Sequence, residues 1–91
     1  MEIVIRETFL QANSAKRAYY KLITEKITDG FLVKKESGIG EGRALHKEAY
    51  FRNSFEEAQK LHDRKIKEKT TANSGKKRVY RIIFERRNQD S

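Results

Sequence analysis

Only one stretch of this 91-residue chain carries a helical period, and its apolar stripe is narrow. Ser54-Phe-Glu-Glu57 matches a capping box, in which the serine hydroxyl accepts from the Glu57 amide while the glutamate reaches back. Glu56 and Glu57 also suit the positive end of a helix dipole. Phe55, Ala58, Leu61, His62 and Ile66 then recur at helical spacing, with Lys60, Arg64, Lys67 and Glu68 opposite. This predicts a helix from Ser54 to about Lys69 or Thr71, stopped by Ala72-Asn-Ser-Gly75. A helix with so narrow a stripe cannot stand alone. It must cover one face of a sheet.

The remaining segments supply that sheet. Residues 3–10 alternate, with Ile3, Ile5 and Phe9 on one side and Val4 and Leu10 on the other, while Arg6, Glu7 and Thr8 interrupt the pattern. A polar stretch, 11–15, reads as a loop. A second strand, 18–24, sets Tyr19 and Ile23 against Tyr20, Leu22 and Thr24. Asp29-Gly30 is a turn signal. It leads into two extended runs, 31–35 and 43–51, around a turn holding Gly38, Gly40 and Gly42. In the second run Leu45, Lys47, Ala49 and Phe51 oppose His46, Glu48 and Tyr50, which suggests one face on the core and one in water. The last strand, 77–84, places Tyr80, Ile82 and Phe84 opposite Val79, Arg81 and Ile83, and the polar residues 85–91 read as a frayed tail. The expected fold is α+β in one domain, residues 1–91: a mostly antiparallel sheet of four to five strands with one helix packed on one face.

Charge narrows the partner class. Lys and Arg number 21 against 13 Asp and Glu, a net charge of +8. Residues 76–91 carry +4 and residues 31–53 a further +2, so most of the excess lies in the last strand, its tail and the glycine hairpin. An anionic partner is expected, nucleic acid first. If hairpin and terminal strand are neighbours they form one basic face; if not, the charge is a solubilising coat. The aromatics sit in alternating strands, where packing is the ordinary explanation, although one or two exposed among Lys and Arg would stack on bases.

The residues of catalysis are sparse. There is no cysteine, hence no disulfide or thiolate metal site, and only two histidines. His62 falls on the helix stripe, where a satisfied core histidine is the simpler assignment, and His46 reads as a surface strand residue. Gly38-Ile-Gly-Glu-Gly42 lacks the Lys-Ser/Thr ending of a phosphate loop and precedes a strand. A non-catalytic protein without metal or cofactor is expected. No apolar run spans a bilayer, and Met-Glu-Ile-Val-Ile-Arg is no secretory signal, so the expected location is cytoplasmic.

Asn13-Ser-Ala-Lys-Arg-Ala-Tyr-Tyr-Lys-Leu22, Phe31-Leu-Val-Lys-Lys35, Ser54-Phe-Glu-Glu-Ala-Gln59 and Lys65-Ile-Lys-Glu-Lys-Thr70 together resemble the order of pieces in WGR domains. The resemblance implies a WGR-like fold and DNA binding, since these domains engage DNA ends or breaks in poly(ADP-ribose) polymerases. In the signature stretch, Glu36-Ser-Gly-Ile-Gly40, Glu36 stands for the tryptophan and Gly38 for the arginine. The family's own contacts are therefore not carried over, and Arg43 is the nearest substitute.

The leading expectation is a nucleic-acid-binding module, for DNA ahead of RNA, that contacts phosphates. Lys34, Lys35, Arg43, Lys47 and Arg52 would meet one stretch of backbone, and Lys76, Lys77, Arg78 and Arg81 another. The alternative is a protein-interaction or scaffold module that keeps the fold and has lost that site. Either way no membrane partner is expected, and the state is a monomer or weak dimer.

Overall fold

The computed structural model describes residues 3–12, 17–40, 44–71 and 79–88. Five strands and a helix follow in the order β1 (Ile3–Ala12), β2 (Ala18–Ile27), β3 (Gly30–Ile39), β4 (Ala44–Arg52), α1 (Phe55–Thr70) and β5 (Tyr80–Arg87). The strands make one antiparallel sheet in the order β4-β3-β2-β1-β5. The α+β expectation holds. Because α1 leaves from β4 at one edge and leads to β5 at the other, it has to cross the sheet, and it crosses on one face. No helix among the described residues is long and apolar enough to cross a membrane.

The helix begins as its sequence dictates. Ser54 is extended and its hydroxyl accepts from the Glu57 amide at 3.2 Å. Ala58, Leu61, His62 and Ile66 are buried against the sheet. Facing them are Leu10, Ala12, Ala18, Tyr20, Leu22, Val33 and Tyr80, with Phe31 and Tyr50 packed at the margin. Each fully buried aliphatic side chain contributes about 1.5–3 kcal/mol, which is where the cohesion of this small domain lies. Lysines close the margin: the Lys69 amine lies 4.9 Å from the Tyr20 ring centre and 5.5 Å from that of Tyr80, and Lys65 lies 5.2 Å from that of Tyr50. Phe55 remains 46% exposed, so the stripe starts one turn later than its spacing suggested.

Several strand boundaries differ from the sequence expectation. Gln11 and Ala12 belong to β1, paired with β5 on one side, rather than to a loop. β3 continues through Glu36, Ser37 and Gly38 because these pair on both sides, with β2 and β4. The turn begins only at Gly40, which has φ +70°. β5 starts at Tyr80, and it continues through Glu85, Arg86 and Arg87, which pair with Thr8, Glu7 and Arg6. The tail expected from Glu85 onward is thus ordered ladder to Arg87; residues 89–91 lie outside the described residues.

Two bulges rearrange which residues share a face. One, at Ile5, puts Val4 opposite Glu25 on the open face and Arg6 opposite Thr24 on the helix face. Arg6 and Thr8, which alternate regularly with Leu10 and Ala12, belong to the core face instead of interrupting the strand. The second lies opposite the Phe9/Leu10 step: Phe9 pairs with Phe84 and Leu10 with Ile82, leaving Ile83 as the extra residue. Simple alternation would have kept Phe84 beside Tyr80 and Ile82. The bulge turns it to the opposite face.

The polar residues under the helix are mutually satisfied. His62 is fully buried, and its Nε2 and Nδ1 lie 2.9 Å from Thr8 Oγ1 and 2.7 Å from Thr24 Oγ1. A neutral imidazole satisfies both, donating to one hydroxyl and accepting from the other. Burial, and then the charge of Arg6, push its pKa down to about 4. Arg6, 3% exposed, is held by Asp63 at 2.6 Å and by Glu85, with Gln59 at 3.3 Å. Burial raises the Glu85 pKa, but the hydrogen bond and charge of Arg6 outweigh it and keep the carboxyl below its ordinary range.

Candidate nucleic-acid interface

With α1 on one face, the other face of the sheet carries no helix or strand among the described residues. Glu7, Phe9 and Gln11 of β1 point to it, with Tyr19, Lys21, Ile23 and Glu25 of β2. β3 adds Leu32, Lys34 and Glu36, β4 adds Lys47, Ala49 and Phe51, and β5 adds Arg81, Phe84 and Arg86. Five cations and three carboxylates thus share this open face. One row of cross-strand neighbours runs the full width of the sheet: Lys47, Glu36, Lys21, Phe9, Phe84. Four inter-strand spacings make it about 19 Å long. Charge occupies its β4 end and aromatic rings its β5 end.

At the charged end, a depression of about 460 Å³ is lined by Lys21, Ile23, Lys34, Glu36, Lys47 and Ala49, together with Lys35 and Glu48. Lys21 is 3.6 Å from Glu7, and Lys34 is 2.8 Å from Glu25. Glu25 is 6% exposed, and its second carboxylate oxygen is buried without a partner among the described residues. Lys47 is exposed and forms no ion pair among those residues. Four lysines against two glutamates line this shallow hollow, an excess that suits a phosphate better than a neutral ligand.

At the aromatic end, Tyr19, Phe9 and Phe84 form a ladder over β2, β1 and β5. Ring centres are 5.9 Å apart at both steps, with interplanar angles of 15° and 13°. The Tyr19 hydroxyl donates to Glu36 at 2.9 Å. Burial, helped by that carboxylate, raises the Tyr19 pKa, so the phenol stays protonated. Tyr19 is 7% exposed and anchors the ladder, whereas Phe84, 48% exposed, is its open end. Arg81 and Arg86 flank Phe84 on the same strand face; Arg86 reaches Glu7 at 2.8 Å, and Arg81 pairs with no carboxylate among the described residues.

The cations expected from sequence are divided by this geometry. Lys34, Lys47 and Arg81 lie on the open face. Lys35 and Arg52 lie on the helix face: Lys35 pairs with Glu48 at 2.9 Å, and Arg52 donates to the Phe51 carbonyl at 2.7 Å. Tyr50 donates a hydrogen bond to Glu48, and with Lys35 this holds that carboxyl below its ordinary range. Arg43, Lys76, Lys77 and Arg78 lie outside the described residues. The β3–β4 hairpin and β5 occupy opposite edges, separated by β2 and β1, so they share a face without adjoining. Lys21 and Arg86, not singled out from sequence, fill the space between or extend it. Lys21 was legible from its alternation with Tyr19 and Ile23; Arg86 was hidden by reading the strand as ended at Phe84.

A second hollow, about 380 Å³, gathers Arg52, Lys60 and Arg64 with Glu57 and Leu61 beside the helix. It contains no exposed ring and is the weaker candidate. Among the described residues no three His, Cys, Asp or Glu side chains are grouped to hold a metal ion. Against known proteins, no family model, no curated protein and no solved structure matches this chain.

Proposed function

We propose that this protein is a small, non-catalytic nucleic-acid-binding module that grips the phosphate backbone on the open face of its sheet. One observation carries the proposal: Lys21, Lys34, Lys47, Arg81 and Arg86 are gathered on a single uncovered face together with an aromatic ladder. Phosphates supply affinity without reading sequence, and the contact is steeply dependent on salt. The resemblance to WGR domains supports the same class of ligand and a WGR-like fold, with DNA ahead of RNA. Glu36, at the place of that family's tryptophan, is engaged by Tyr19, so the mode of contact on this face differs from the family's. A cytoplasmic location suits this partner.

Fluorescence anisotropy with single-stranded DNA, nicked and blunt duplexes, and RNA at two salt concentrations tests the proposal. Joint substitution of Lys21, Lys34 and Lys47 by Gln should weaken binding and flatten the salt slope by about 2, at about 0.7 per phosphate contact for single strands. Joint substitution of Lys60, Arg64 and Lys67 on the helix should leave it unchanged. No binding at low salt, or loss only with the helix set, refutes the proposal.

A second reading, a protein-interaction module, is favoured by Val79, Ile82, Ile83 and Phe84, which are each 42% or more exposed at the β5 edge. It predicts that a partner protein protects β5 while the lysine substitutions have no effect.

A further inference from the structure

We infer that Phe84 is a stacking seat for an unpaired base, which makes the ligand of the open face single-stranded. The inference rests on the preceding proposal that this face takes nucleic acid, and it adds which form and through which side chain.

The argument starts from the bulge. Period-two alternation along β5 would send Phe84 to the helix side with Tyr80 and Ile82, but the extra residue Ile83 rotates it onto the uncovered face. There it keeps 48% of its surface in water, although it is among the largest apolar side chains of the chain. Its orientation is nevertheless set in advance. Phe84 lies nearly parallel to Phe9, Phe9 to Tyr19, and Tyr19 is tied to Glu36. A base added to the end of a ladder already aligned loses little ordering freedom.

Charge on both sides specifies the occupant. Arg81 and Arg86 lie within about 7–10 Å of Phe84 along the strand, one on each side. Guanidinium groups bind phosphate through paired, charge-assisted hydrogen bonds. A ring between two guanidiniums matches a strand whose base stacks while its neighbouring phosphates are held. Inside a duplex the base faces are already occupied by one another; along a single strand every base has a face available. Across the same row, Lys21 and Lys47 lie toward β4, on either side of Glu36. A second copy of this chain fits the edge less well. The Ile83 bulge interrupts the outer ladder, and Arg81, Glu85, Arg86 and Arg87 line it, two devices that oppose edge-to-edge pairing.

The full chain contains no tryptophan, so Phe84→Trp installs a single reporter at the seat. Oligothymidylate and inorganic polyphosphate are titrated in parallel against this variant, against Phe84→Ala and against the unmodified protein. Stacking predicts that oligothymidylate quenches the indole and polyphosphate does not. It also predicts that Phe84→Ala weakens oligothymidylate binding on the order of tenfold or more while polyphosphate affinity is unchanged. Oligothymidylate binding without quenching, and with equal affinity in Phe84→Ala, overturns the base seat and leaves the phosphate-binding proposal standing. Failure of both polyanions to bind at low salt overturns both. Sedimentation equilibrium covers the remaining occupant: a dimer that Phe84→Ala dissociates assigns the ring to a second copy and overturns the inference.

Discussion

Lowering the pH from 7 to 5 should remove about 2 kcal/mol of folding stability through His62 alone. The imidazole is fully buried between Thr8 and Thr24, and its pKa falls from 6.5 to about 4 on folding. Above pH 6.5 both folded and unfolded forms are neutral, and the contribution is fully present. As pH drops through 6.5 the unfolded chain takes up a proton that the folded chain refuses until about pH 4, so stability falls across that window. At pH 5 the imbalance amounts to about 2 kcal/mol, a sizeable share of the about 5–15 kcal/mol typical of a domain. This pH lies above the carboxylate range, where Glu85 begins to lose its own contribution. Urea unfolding at pH 7 and pH 5 measures the difference through the midpoint at constant m. His62→Gln should start less stable at pH 7 and show little of the slope. An imidazole that titrates near 6.5 by NMR in the folded protein, or equal stability at both pH values, refutes the reasoning.

Other substitutions probe the frame that holds the open face. Arg6→Ala leaves Asp63 without its cation and Glu85 with only Arg87 at 3.5 Å, and should cost about 2–3 kcal/mol in urea unfolding; the figure is below that of a fully buried pair because the Asp63 side chain is 62% exposed. Gly30→Ala should destabilise by about 1–3 kcal/mol, since a Cβ there meets the Arg52 carbonyl oxygen at 2.7 Å and the Phe51 ring at 2.8 Å. Ser54→Ala removes the acceptor of the Glu57 amide and should cost about 1 kcal/mol, with helix fraying visible in amide exchange of the first turn.

The α+β frame was legible because two periods, 3.6 and 2, separate cleanly along the chain, and because Ser54 and Asp29-Gly30 mark where one element gives way to another. The histidine on the helix stripe was legible as a core residue for the same reason. The open face was less so. Period-two reasoning assumes an uninterrupted strand, and two of the three strands that build the aromatic end contain an extra residue, at Ile5 and Ile83. A bulge leaves little trace in local composition, so alternation alone groups Phe84 with Tyr80 and Ile82, and Val4 with Leu10. Arg6 and Thr8 keep the alternation and look like interruptions only because they are polar residues on the core face. Arg6 is also a charged residue whose burial depends on Asp63, Gln59 and Glu85, partners 53 to 79 residues away. Strand order was the other missing quantity: net charge by segment does not reveal that the hairpin and the last strand occupy opposite edges.

Lysine acetylation footprinting, with and without a single-stranded oligonucleotide, tests most directly whether the uncovered sheet face is where this protein meets nucleic acid. Lys21, Lys34 and Lys47 should become protected while Lys60 and Lys67 on the helix react as before. Protection of the helix lysines in their place, or an unchanged pattern at saturating oligonucleotide, would contradict the account.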